Sequence, residues 1–150
     1  MANDAIASIQ ATVLPDEIAK TLSATMTVSP SDANDKWYFK KTSVSNSSTD
    51  LIAGNYTDYT AVDDDTAPTA VATGDKVNFL FIKNIATNSR SIYIVLDAGT
   101  ASSSAGDGIT IGPNEFFCAR LPNTTVADIH AISSASTAEV LVCALLDDVG

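Results

Sequence analysis

Short apolar segments, separated by turn-forming residues, fill the second half of the chain. Each segment is rich in β-branched and aromatic residues, and clusters of Gly, Pro, Asn and Ser bound it, which is typical of β-strands. The pattern therefore predicts an all-β fold. Six segments carry it, at 76–82, 91–97, 108–111, 115–121, 126–132 and 137–146.

The first half of the chain mixes strand-like and polar stretches. Period-two alternation over 21–28 and 36–44, on either side of a turn that begins at Pro30, predicts a hairpin between these two strands. Residues 43–75 are mostly Ser, Thr, Asp, Asn and Ala, and they predict a long polar loop that holds a short edge strand at 55–60.

Residues 1–15 fit either a helix or a strand, because their apolar residues satisfy both periods. Pro15 ends the segment, and terminal segments are usually loose unless they dock on something. We therefore expect an arm that contacts a partner through its apolar side chains, which are Ile6, Ile9, Val13 and Leu14.

A chain of 150 residues is long enough to bury one core without a disulfide or a metal. Eight to ten short strands at turn-punctuated spacing predict a single-domain antiparallel β-sandwich, either plain or of jelly-roll type. The expected organisation is an N-terminal arm at 1–15 and a β-sandwich domain at 16–150.

Composition excludes several classes of function. Eighteen acidic and eight basic residues give a net charge of -10, which disfavours binding to nucleic acid and to anionic lipid. The longest apolar run, 140–146, is far shorter than the ~18 to 20 residues that cross a bilayer. The first ten residues lack the basic start and apolar core of a secretory signal, so we expect synthesis in the cytoplasm.

Few residues could carry chemistry. His130 and Cys118 lie on consecutive predicted strands and could form a base and nucleophile, but no third group to orient them is evident, and we predict no enzymatic activity. Cys118 and Cys143 each lie within an apolar strand and are predicted to be reduced core thiols, with a cross-strand disulfide as the alternative.

An acidic cluster and an aromatic cluster are the remaining candidate ligand sites in the sequence. The acidic loop does not have the spacing of a calcium-binding loop, so we predict solvated carboxylates, with no metal and no cofactor. Its members are Asp63, Asp64 and Asp65, with Asp58 or Asp75 nearby. The aromatic residues could stack on a sugar if they shared one exposed surface. They are Trp37, Tyr38, Phe39, Tyr56 and Tyr59.

Five phrases of the sequence resemble small virion structural proteins of tailed bacteriophages. They are IQATVLPDEIAKTL at 9–22, NDKWYFK at 34–40, SIYIVLDAGT at 91–100, IGPNE at 111–115 and LPNTTVADIHAI at 121–132. Among such proteins, the chain is most similar to capsid decoration (cement) proteins. The phrases contain no catalytic motif.

The resemblance implies a structural protein that binds the major capsid protein and copies of itself, as a trimer, on the outer surface of the phage head. The expected interaction residues are the four apolar residues of the arm and four aromatic residues, Trp37, Tyr38, Tyr56 and Tyr59. Two alternatives are a receptor- or carbohydrate-binding module of a head or tail fibre and a tail or connector ring protein.

Overall fold

The computed structural model describes residues 4–13, 20–57, 69–87, 89–104 and 108–149. The chain divides into two compact units, Met1–Asp32 and Ala33–Gly150. Strands dominate both, and the described residues contain one 3-10 turn, Val126–Asp128, and no α-helix. The predicted all-β class is confirmed.

The first unit is a two-stranded hairpin. Strand β1 (Ala5–Val13) pairs antiparallel with β2 (Lys20–Val28), in a register that places Ala5 opposite Val28. The N-terminal segment is thus a strand, one of its two predicted forms. The predicted hairpin between 21–28 and 36–44 is wrong, because the backbone hydrogen bonds of β2 go to β1.

The described residues of the second unit form eight strands in two four-stranded antiparallel sheets. The first sheet has the order β3-β10-β5-β8 and the second β4-β9-β6-β7. The strands are β3 (Asp35–Val44), β4 (Thr49–Asp50), β5 (Lys76–Asn84), β6 (Ile92–Val95), β7 (Ile109–Ile111), β8 (Phe116–Arg120), β9 (His130–Ser133) and β10 (Ala138–Asp147).

This strand order is a jelly roll. The first strand of the unit pairs with the last, β4 with β9, β5 with β8, and β6 with β7. A β-ribbon that folds over on itself produces these four pairs and distributes them between two packed sheets. The predicted antiparallel β-sandwich is confirmed, and it is of the jelly-roll type.

The core lies between the two sheets and follows the alternation of side chains along the strands. In β10, every second residue from Val140 to Leu146 is completely buried. The second sheet contributes Ile92, Ile94 and Ala131, which are also fully buried. Burial of this kind favours folding by about 25 cal/mol per Å² of apolar surface.

The two units do not coincide with the predicted arm and domain. We predicted an arm at 1–15, whereas the chain divides after Asp32. The physical reason is strand pairing, since β1 forms its backbone ladder with β2 and both strands therefore belong to one unit.

Candidate interaction surfaces

The hairpin has one apolar and one polar face. Apart from Ile6, cross-strand neighbours on the polar face are hydroxyl or amide residues, and Ser8 Oγ lies 3.3 Å from Thr25 Oγ1. The opposite side, called here the hairpin apolar face, follows from the register. It comprises Ala5, Ala7, Ile9 and Ala11 of β1 and Leu22, Ala24, Met26 and Val28 of β2, and the exposed Lys20 lies on the same side at its outer end.

Exposure increases along the hairpin apolar face. Val28 is buried and Met26 is half-buried, whereas Ile9 is 50 % exposed and Leu22 is 63 % exposed. On the polar face, Ile6 is 71 % exposed. Apolar side chains so open to water are expected at a surface that binds another molecule.

A second apolar surface covers the outer side of the first sheet of the sandwich. The register aligns side chains that point away from the core, and together they form what we call the outer sheet face. It comprises Trp37, Phe39 and Lys41 of β3, Leu141, Cys143 and Leu145 of β10, Phe79, Phe81 and Lys83 of β5, and Phe116, Cys118 and Arg120 of β8.

The outer sheet face has buried side chains at one end and exposed side chains at the other, which we call its open part or open end. Trp37 and Phe79 are buried and meet edge to face, with 6.2 Å between ring centroids. Phe39 is 57 % exposed and Phe116 48 % exposed, and Phe116 stacks on Phe81 at 5.9 Å. Antiparallel sheets usually carry polar residues on the side that faces water, so an aromatic outer side indicates an interaction surface.

Charged side chains flank the open part of the outer sheet face. Lys41 and Lys83 lie on either side of Leu141 in one cross-strand row. Lys41 forms an ion pair with Glu139 at 3.3 Å, and a hydrogen bond from the Ser43 hydroxyl is the main reason that the pKa of Glu139 lies below its usual value. Within the described residues, Lys83 forms no ion pair.

The two cysteines are half-buried on this outer face, not in the core as predicted. Strands β8 and β10 are apolar on both faces, so the side-chain pattern does not show which side each thiol faces. Cys118 and Cys143 both lie opposite Phe81, with β5 between their strands, and two strand spacings of about 4.8 Å place their Cα atoms too far apart for a disulfide. Burial raises the pKa of both thiols.

The structure separates His130 from Cys118. His130 begins β9 of the second sheet, whereas Cys118 lies on β8 of the first. The His130 ring contacts the Gly99 carbonyl oxygen through Nδ1 at 2.8 Å and the Asp50 carboxylate through Nε2 at 3.2 Å. This histidine therefore links β9 to β4 and to the loop at Gly99, and it faces no thiol.

The remaining predicted interaction residues are scattered. Tyr38 and Tyr56 are buried, and the Tyr38 hydroxyl donates to the Ala53 carbonyl oxygen at 3.1 Å. Leu14 and Tyr59 lie outside the described residues, as does the side chain of Val13. Ile6 and Ile9 are exposed on the hairpin, and Trp37 is buried on the outer sheet face. Sequence reasoning missed Phe116, which marks the open end of that face.

A buried carboxylate holds the loop before β5 against the C-terminus. Asp75 is completely buried and accepts hydrogen bonds from the Tyr56 hydroxyl, from the Ala72 N–H at 2.7 Å and from the Val149 N–H at 3.3 Å. Burial and the neighbouring carboxylate of Asp75 raise the pKa of Tyr56. Asp75 thus has protein donors on both oxygens, while the other acids of the predicted loop, Asp58 and 63–65, lie outside the described residues.

Among the described residues, no group of three or more His, Cys, Asp or Glu is arranged to hold a metal ion. In the same part of the chain, no helix has the length and hydropathy needed to cross a membrane. No family model, curated protein or solved structure matches this chain significantly.

Proposed function

We propose that the protein is a non-enzymatic structural protein of a bacteriophage virion, which binds the outer surface of the capsid and stabilises the shell. The observation that carries this proposal is the resemblance of five phrases, spread over residues 9–132, to small virion proteins of tailed phages. Its partners are the major capsid protein and further copies of the chain, arranged as a trimer on the phage head after synthesis in the host cytoplasm.

Charge supports a position on the outside of the shell. Packaged DNA is a dense polyanion, and a chain with a net charge of -10 is repelled by it. A protein on the outer surface of the head is separated from the genome by the shell. The acidic surface also keeps free copies soluble before they bind.

The two exposed apolar surfaces suit a protein that stabilises the shell by burying additional surface between subunits. A shell under internal pressure becomes more stable when each added copy bridges neighbouring subunits and buries further surface. Because many copies bind a repeating lattice, a modest affinity per contact is multiplied when one assembly engages several sites at once. No reactive group is required for this mechanism.

The jelly-roll fold is compatible with the proposal and also with a carbohydrate-binding module, since both viral capsid and lectin domains use it. A sugar stacks on an exposed aromatic ring. Of the five aromatic residues in the carbohydrate hypothesis, Tyr38 and Tyr56 are buried, Trp37 is 8 % exposed and Phe39 is 57 % exposed. Phe39 is thus the one exposed ring among the described members of this set, and a single ring is a small stacking platform, which favours the capsid proposal.

Immunogold electron microscopy of intact virions tests the proposal. Antibodies against the protein should label the outside of the heads, and disrupted particles serve as the control for epitope accessibility. Labelling confined to tails, or labelling that requires disruption of the particles, would reject the decoration proposal. A specific signal on a glycan array would favour the carbohydrate-binding alternative instead.

A further inference from the structure

Among the described residues, two apolar surfaces of different character have no partner: the outer half of the hairpin apolar face and the open part of the outer sheet face. We propose that the hairpin of one copy packs on the outer sheet face of a second copy. This inference deepens the proposed function, on which it rests for the need to self-assemble. Its test is made in solution without virions, so the two proposals can fail separately.

The sizes of the side chains on the two surfaces are complementary. The hairpin apolar face is rich in alanine, with Ala11 and Ala24 beside the larger Ile9 and Leu22. The outer sheet face presents bulky rings, above all Phe39 and the Phe81–Phe116 stack. Sheets that pack face to face interdigitate best when small residues on one layer receive large residues of the other.

Charge also favours the hairpin of a second copy as the segment that packs on the outer sheet face. Residues 1–32 contain four acids and one lysine, a net charge of -3. On the outer sheet face, Lys83 is exposed beside the apolar patch and pairs with no acid among the described residues. Because Lys20 lies on the docking side of β2, the attraction comes from the net negative charge of the segment and not from a charge on its apolar face, and salt weakens it.

The available area indicates a closed assembly. A nine-residue strand is about 30 Å long and two paired strands are about 10 Å wide, so each hairpin face covers at most about 300 Å². One hairpin on one sheet then buries at most about 600 Å² on both partners, which is below the ~1,200 Å² of a specific interface. If each copy both gives and receives a hairpin, it takes part in two such contacts. A reciprocal pair combines both contacts in one interface of at most about 1,200 Å², whereas a ring divides them between two neighbours.

Sedimentation velocity of the full chain tests this arrangement. The wild type should form a closed oligomer, and Leu22→Asp or Phe116→Asp should weaken association by roughly 100-fold or more, because each buries a charge in the contact. Thr25→Asp on the polar hairpin face and Thr110→Asp on the second sheet are matched controls that should assemble normally. Circular dichroism should show that all four variants remain folded.

Two further variants sharpen the test. Lys83→Glu should weaken association, and this loss should shrink as salt is added. A mixture of Leu22→Asp and Phe116→Asp restores one hairpin-on-sheet contact, because one variant retains a working sheet face and the other a working hairpin. The mixture should therefore associate more weakly than the wild type but more strongly than either variant alone. Each variant alone should stay monomeric at the same total concentration.

Cys118 and Cys143 report directly on what covers the outer sheet face. Maleimide should modify them slowly in the wild-type oligomer and faster in folded Leu22→Asp. Oligomers that survive both Leu22→Asp and Phe116→Asp would overturn the proposal. A monomeric wild type would overturn it too. If the thiols of that monomer were protected from maleimide, the chain would cover its own outer sheet face. If they became protected only when capsid shells were added, the capsid would be the occupant of that face.

Discussion

The hairpin and the sandwich are built from similar alternating strands, yet their surroundings differ. Strand β5 buries five of its nine residues, whereas the equally long β2 buries Val28 alone. The sandwich strands have a second sheet packed against one face, and an isolated two-stranded ribbon is marginally stable in water at best. The difference indicates that strand pattern alone provides little stability and that a covering layer provides most of it.

The largest contrast should appear when the same substitution is made in both regions. Leu80→Ala in the core should lower the free energy of unfolding by about 2 to 5 kcal/mol, because Leu80 is fully buried and its removal leaves a cavity. Leu22→Ala, measured by urea denaturation in dilute solution, should change it by less than about 0.5 kcal/mol. Equal losses of unfolding free energy in the two variants would contradict the difference between the sandwich and the hairpin.

The buried hydrogen-bond network of the sandwich should give the next largest effect. Tyr56→Phe removes one of the three donors to the buried Asp75 carboxylate and should cost about 1.5 to 3 kcal/mol. Urea denaturation at neutral pH measures this loss. A cost near zero would mean that the two backbone donors satisfy Asp75 without the tyrosine.

The same variant should change the response to alkali. The pKa of Tyr56 is raised in the folded protein, so the unfolded chain loses this proton first as the pH rises past about 10. The contribution of Tyr56 to the free energy of unfolding is present in full below about pH 10 and declines at higher pH. Tyr56→Phe should therefore reduce the alkaline decline, and an unchanged slope would show that other groups cause it.

A smaller effect is expected from the outer sheet face. Cys118→Ala should cost about 1 kcal/mol, because the thiol is half-buried beside Phe81 and supports packing only. Thermal denaturation measures this loss, with Cys143→Ala as the companion variant. A hydrolytic activity present in the wild type and absent from Cys118→Ala would refute the non-enzymatic interpretation.

The smallest change in stability should follow removal of the first strand. A variant that lacks residues 2–14 should keep its β-type circular dichroism and cooperative unfolding, with a loss of less than about 0.5 kcal/mol, because the core residues lie in the sandwich. It should lose self-association. Global unfolding of this variant would show that β1 is needed for the fold.

Side-chain periodicity predicted most of the sandwich. The segments at 76–82 and 137–146 correspond to β5 and β10 within two residues, because turn residues bound them clearly. The very short β4 was missed, since two residues leave no period to detect. The segment at 126–132 begins with the 3-10 turn before β9, where Thr125 and Asp128 form a capping box.

Pairing and orientation were harder to predict than strands. Period two shows which residues share a face but not which strand lies beside them, so β2 was assigned to the wrong partner. For strands that are apolar on both faces, as β8 and β10 are, the pattern also fails to distinguish core from outer side. The outer sheet face could therefore be found only once the register placed Phe39, Phe81 and Phe116 in adjacent rows.

Hydrogen exchange of the intact wild-type chain, measured at low and high protein concentration, tests the contrast between the two regions most directly. Amides in β5 and β10 should be protected to the level of global unfolding at both concentrations. Amides in β1 and β2 should exchange rapidly in dilute solution and become protected as the protein assembles. Hairpin amides protected as strongly as those of β10 in the dilute monomer would contradict the account.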